Sequence, residues 1–202
     1  MMQLFWCPNT RAVRVVWMLE ELSLEYELVN IDIRDTSRPR PDAFAEASPM
    51  GKVPALADGA VRMAESSAIC LYLADRYGDG VLAPAMDDSR RGTFLYWLMY
   101  APAVIEPAMA ERFGNHATSR VSHGWGDFDT MIAVLAGHVA THRWALGEQF
   151  SAADVMLGSS ANFMKMFGIL PDSAPVEAYI ERCLERPAYQ KALAINAAGG
   201  AP

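Results

Sequence analysis

Cysteine is scarce in this chain and badly spaced for anything structural. The 202 residues hold three, Cys7, Cys70 and Cys183. An odd, scattered set is no disulfide framework, and it points to a reducing, cytoplasmic compartment. No CxxC pair occurs, which removes a dithiol redox centre and a thiolate zinc site. Long hydrophobic runs are also missing: no apolar stretch approaches the ~18 residues of a membrane span. The opening MMQLFWCPNTR lacks a basic region followed by an apolar one, so it reads as an early strand and not as a signal peptide. Basic charge is in short supply as well, with 17 Lys and Arg against 24 Asp and Glu and a net charge of −7. A surface of that sign repels phosphate backbones and argues against a nucleic-acid partner.

What is present is a foldable composition, 52% hydrophobic and 20% charged, enough for one large domain or two small ones. Met2 to Trp6 is short and apolar and reads as a strand. Arg11 to Leu22 carries Val13, Val16, Trp17 and Leu19 as a helical apolar stripe. Tyr26 to Ile33 alternates like a strand, so the chain opens βαβ, which implies a parallel pair. Arg34 to Ser48 is charged and proline-bearing, with a short helix near Asp42 to Ala47. SPMGKVPAL (48–56) is a loop entering a strand, Asp58-Gly59 signals a hairpin, and Val61 to Met63 returns. Ala64 to Ser67 opens a second helix that Gly78-Asp79-Gly80 stops.

The order βαβ, ββ, α is the thioredoxin arrangement. Beyond it no strand pattern occurs. Ser89 to Ile105, Thr118 to Trp144, Ser151 to Phe167 and Val176 to Arg186 are helix-like, and Pro187 to Leu193 adds a short helix before a frayed tail. The expected fold is therefore a thioredoxin-like α/β domain (1–78), a linker (79–88) and an all-α helical bundle (89–202). Ser151 with Asp154 three residues later forms a capping-box variant, and Phe150 is placed to staple onto Val155. His138 and His142 have the i, i+4 spacing of metal ligands, but no HExxH context accompanies them, so they read as a packed or solvated helix face. Cys70 falls on the inward face of the second helix and reads as core.

These pieces, in this order, resemble the cytosolic glutathione S-transferase family. The matching stretches are CPNTRAVRVVWMLEEL (7–22), SPMGKVPAL (48–56), AESSAICLYLADRYG (64–78), GEQFSAADVMLG (147–158) and PAYQKAL (187–193), with the look of bacterial, beta- or theta-like members. The resemblance implies glutathione as cosubstrate, no metal, a small hydrophobic electrophile as second substrate, a role in detoxification, and a homodimer through the long helix after Ser89. It also implies a cis peptide before Pro54, with the Val53 N–H and C=O turned to pair with the cysteinyl backbone of glutathione. Lys52 would meet the glycyl carboxylate. Ser66, at a helix entrance, would hold the γ-glutamyl carboxylate, with Glu65 on the ammonium. From the residues alone, Ser66 or Ser67 serves equally well as an N-cap.

Three residues compete for the place beside the sulfur. Cys7 aligns with the catalytic serine of theta- and zeta-like members and the cysteine of omega-like ones, with Arg11 or Arg14 at hand. Thr10 and Asn9 are alternative hydrogen-bond donors to a glutathione thiolate. The beta-class cysteine position falls on Arg11, and tyrosine is absent from the loop. Cys7 reads equally well as a buried, inert thiol. Tyr100, Val104, Met109, Phe113 and Met164 are candidates for the electrophile's wall, with core packing the default. Three activities follow: conjugation of glutathione, Cys7-dependent thiol transfer, or a non-catalytic binding module of the same shape.

Overall fold

The computed structural model describes residues 1–35, 37–117 and 119–199. The chain divides into two compact units. The first is Met1–Asp79 joined by the C-terminal segment from Glu185, and the second is Gly80–Leu184.

The first unit is built on β1 (Met2–Trp6), α1 (Val13–Glu21), β2 (Tyr26–Asn30), α2 (Asp42–Ala47), β3 (Ala55–Asp58), β4 (Val61–Ala64) and α3 (Ser66–Tyr77). The sheet order is β2-β1-β3-β4, with β1 and β2 parallel and the other pairs antiparallel. This is a thioredoxin-like fold. β1 is central, so four of its five residues are buried, as expected for a strand covered on both faces. On one side Phe5 packs against Phe44 of α2, ring centroids 5.6 Å apart. α1 is buried continuously from Val13 to Leu19, more than an amphipathic stripe requires.

The last helix, α9 (Pro187–Gly199), explains that burial. It packs along α1, and Tyr189 stacks on Trp17 at 3.8 Å between centroids. Arg186 grips Glu21 through two bonds of 2.6 Å, and Lys191 pairs with Glu20 at 2.6 Å. The sequence reading groups this helix with the helical region and ends it near Leu193. In the structure it groups with the sheet and runs to Gly199. The aromatic and charged partners of α1 lie on it or, for Arg186, immediately before it, some 165 residues away, and no local pattern reports such a pairing.

The second unit holds α4 (Arg91–Tyr100), a π turn (Ala101–Ile105), α5 (Glu106–Gly114), α6 (Phe128–Thr141), α7 (Ala152–Met166) and α8 (Ala174–Leu184). α4, the π turn and α5 form one uninterrupted helix, longer than the expected Ser89–Ile105. Pro102 and Pro107 lie within it, and Glu106 N–H reaches back to Ala101 C=O, five residues earlier. The wider π ring accommodates prolines that an α-helical ladder would not. Helix is expected from Thr118, which lies outside the described residues, yet it begins only at Phe128. Ser119–Gly126 is turns, with Gly126 at φ 73, and Asp127 caps α6 by accepting the Thr130 N–H at 2.7 Å. α7 is the buried centre of the unit, with Ala, Gly and Ser at Ala152, Ala153, Gly158, Ser159 and Ser160 allowing close approach. Its start is the expected capping box, with Asp154 Oδ2 accepting from Ser151 N–H at 2.9 Å. Among the described residues no helix is long and apolar enough to cross a membrane.

Candidate functional site

The sheet sends three distant segments to the same end. β1 and β4 both run antiparallel to β3, and Phe5, Ala55 and Ala64 stand in one row. The chain therefore leaves β1, enters β3 and leaves β4 at one end of the sheet. Just beyond that row lie Cys7–Thr10, Val53–Pro54 and Glu65–Ser66.

Val53 is buried, and its peptide bond to Pro54 is cis. Neither its N–H nor its C=O finds a hydrogen-bond partner among the described residues. A buried main-chain pair left open is uncommon and is poised for a backbone-like ligand. The loop before it is tied down, since the Ser48 hydroxyl donates to Lys52 C=O at 2.7 Å and accepts Lys52 N–H at 2.9 Å. Lys52 itself is exposed.

Glu65 is exposed, with φ 68 and ψ 114, a conformation that costs a non-glycine residue of order 1–3 kcal/mol. This kink turns the chain from β4 into α3. The first bond of α3 runs from Ile69 N–H to Glu65 C=O at 2.9 Å, so the N–H groups of Ser66, Ser67 and Ala68 lack intrahelical acceptors. Arg14, only 1% exposed on α1, points its Nη1 at Ser66 Oγ, 3.4 Å away. Free N–H groups, the positive end of a helix and a buried guanidinium together make a carboxylate-binding corner.

The loop after β1 distributes its three candidates differently. Cys7 is 3% exposed and joins an apolar cluster with Phe5, Phe44 and Val53. Its Sγ accepts a hydrogen bond from Arg34 Nη1 at 3.2 Å. Thr10 spends its hydroxyl on the loop, donating to Cys7 C=O at 2.6 Å and accepting Ala12 N–H at 3.2 Å. Its main-chain N–H has no acceptor among the described residues. Asn9, at φ 58, is bound by Asn196 of α9 through both its N–H and its side-chain oxygen. Arg11 is exposed. A cleft of about 520 Å³ opens beside Cys7 toward Arg34 and Asp32.

Residues 6–76 match the family described as Glutathione S-transferase, N-terminal domain. Glutathione S-transferase 3 of Schizosaccharomyces pombe is 29% identical over 164 residues, 72% of this chain and 67% of its own. The disulfide-bond oxidoreductase YfcG of Escherichia coli is 28% identical over 96% of this chain and 94% of its own. A solved glutathione transferase from Methylococcus capsulatus matches with a TM-score of 0.83 at 26% identity, covering 98% of this chain and 100% of that one. Residues 6–76 thus match a glutathione S-transferase N-terminal domain, and over almost its whole length the chain is similar to a solved glutathione transferase.

Nothing in the sequence marks Arg34 or Asn196, and Arg14 stands out there only as a cation for Cys7. One signal was available: Arg14 interrupts an otherwise apolar run on α1. Arg34 and Asn196 carried none. Cys70 is fully buried, and burial pushes its thiol up to about 12 while Arg14 pulls the other way. Of the residues considered for an electrophile's wall, Tyr100, Met109 and Met164 are core, and Tyr100 donates its hydroxyl to Met131 C=O at 3.1 Å. Phe113 is exposed and meets Phe167 edge-on at 5.4 Å. His138 packs on Trp97, and burial together with nearby His142 depresses its pKa.

Proposed function

We propose that this protein binds glutathione at the Val53–Pro54 and Glu65–Ser66 end of the sheet and conjugates its sulfur to small hydrophobic electrophiles. The open main-chain pair of buried Val53 carries the reading. It suits the cysteinyl backbone of a peptide ligand added as one more strand. The corner at Ser66 and Arg14 suits the γ-glutamyl carboxylate, Glu65 its ammonium, and Lys52 the glycyl carboxylate. The free Thr10 N–H is the donor that holds the thiolate. The thiolate attacks the electrophilic carbon, the carbon–sulfur bond forms, and the leaving group departs with its electron pair. Calorimetry with glutathione and turnover of an aryl halide test this directly. No binding at millimolar glutathione overturns it.

A second reading, thiol transfer through Cys7, is favoured by the Arg34 guanidinium on Sγ and by the similarity to a disulfide-bond oxidoreductase. There the Cys7 thiolate attacks a glutathionyl disulfide and releases the other thiol. A second glutathione then regenerates Cys7 and leaves as glutathione disulfide. Cys7→Ser separates the two. Conjugation is expected to stay within about twofold of the parent, whereas a loss of disulfide reduction of about a hundredfold would favour transfer through Cys7.

The same proposal includes a homodimer in a reducing cytoplasm. Between Gly92 and Ala110 the exposed positions of the α4–α5 helix carry no charge, and they include Tyr96 at 53% and Met99 at 37% exposure. A helix face of that length with one partly exposed charge, Glu106, fits a copy of itself. Light scattering is expected to give twice the chain mass, and Tyr96→Glu to halve it. A parent protein already at the chain mass would reject the dimer.

A further inference from the structure

The end of the chain closes on the loop that faces the proposed glutathione sulfur. α9 is held along α1 by the Trp17–Tyr189 stack and the Glu21–Arg186 pair. Its last turns then reach the loop after β1. Asn196 Oδ1 accepts the Asn9 main-chain N–H at 2.8 Å, and Asn196 Nδ2 donates to Asn9 Oδ1 at 3.2 Å. Three residues on, Gly199 lies so close that a Cβ there would stand 2.5 Å from Trp6 Cη2 and 3.6 Å from Pro8 Cβ. Only a residue without a side chain lets the helix end rest there.

These contacts fix a backbone orientation. Asn9 is left-handed at φ 58, a conformation asparagine tolerates better than most residues but does not favour. Its N–H, bound to Asn196, sets the plane of the Pro8–Asn9 peptide. On the far side, the Thr10 hydroxyl is fixed by its bonds to Cys7 C=O and Ala12 N–H. The Asn9–Thr10 peptide is thus clamped from both sides. The N–H it presents is that of Thr10, which has no acceptor among the described residues. An asparagine near a helix end, 187 residues from its partner, adds little to helix propensity, so its contribution lies in the loop it holds.

We propose that Asn196 is a positioning residue of the glutathione site, holding the loop so that the Thr10 N–H meets the glutathione sulfur. The inference rests on the glutathione reading above. Asn196 touches no reacting atom. It acts through Asn9 on the orientation of a donor, the kind of preorganisation that makes a thiolate easier to form.

The test is a pH titration of the protein–glutathione complex, following the ultraviolet band of the thiolate, in parent, Asn196→Ala and Asn196→Asp. For N196A the midpoint is expected to rise by about one pH unit and kcat at neutral pH to fall roughly tenfold. KM for glutathione should move less than about twofold, because the carboxylate and backbone contacts lie elsewhere. N196D keeps an oxygen acceptor for the Asn9 N–H and is expected to recover at least half of the shift. Thermal melting of both variants should stay close to the parent. An N196A midpoint equal to the parent's overturns the proposal, and so does equal impairment of N196A and N196D. A parent protein that shows neither a thiolate band nor glutathione binding fails at the earlier step, the glutathione reading itself.

Discussion

Asp154→Ala is expected to melt about 10 °C below the parent protein. Asp154 is fully buried, and its carboxylate accepts from Ala145 N–H at 2.7 Å, Ser151 N–H at 2.9 Å, Ser151 Oγ at 3.1 Å and Tyr179 Oη at 2.9 Å. Burial pushes the carboxyl up to about 6, and these donors pull against it. Alanine removes the acceptor and leaves the donors behind, all on residues that are themselves buried. Each stranded donor costs about 1–3 kcal/mol, so a total near 4 kcal/mol is a conservative sum. A protein of this length loses about 2–4 °C per kcal/mol. Asp154→Asn tests the same point with shape preserved, since its amide NH₂ would face the donors of Ser151. It is expected to melt between parent and alanine variant. A melting temperature for D154A within ~2 °C of the parent would mean that the donors find other acceptors.

The second large effect is on glutathione affinity. Ser66→Ala is expected to weaken binding about tenfold, and Glu65→Gln combined with Ser66→Ala about a hundredfold or more. Hydrogen bonds to a charged partner are worth ~1.5–3 kcal/mol each, and every 1.4 kcal/mol is a factor of about ten in Kd. The reason lies in how the corner is made: the left-handed Glu65 bends the chain so that α3 opens its free N–H groups where Arg14 also points. Titration calorimetry measures the loss, and the double variant should keep its melting temperature, because Glu65 is exposed and Ser66 only partly buried. Unchanged affinity in the double variant would remove this corner from the site.

Local chemistry was readable in the residues. The βαβ opening, the Asp58-Gly59 hairpin, the start of α3 and the Ser151 cap each depend on neighbours a few positions apart, and the structure has all of them. The cis peptide before Pro54 also stands where the family resemblance implies it. What escaped the sequence depends on distance along the chain. Arg34 reaches Cys7 from 27 residues away and Asn196 reaches Asn9 from 187, and nothing in either neighbourhood marks the partner. The late start of α6 escaped for another reason. The stretch from Thr118 to Trp144 reads as helix-like as a whole, but Gly124 and Gly126 interrupt its first part, and only at Asp127 does a cap begin a helix.

The docking of α9 on α1 also constrains the order in which the protein can assemble on a ribosome. Glu21 emerges early, whereas Arg186, its partner, is made 165 residues later, a wait of roughly 8–30 s at typical elongation rates. The unit Gly80–Leu184 is complete before then. The first-made unit therefore finishes last, with the apolar face of Trp17 needing shelter until the final helix arrives.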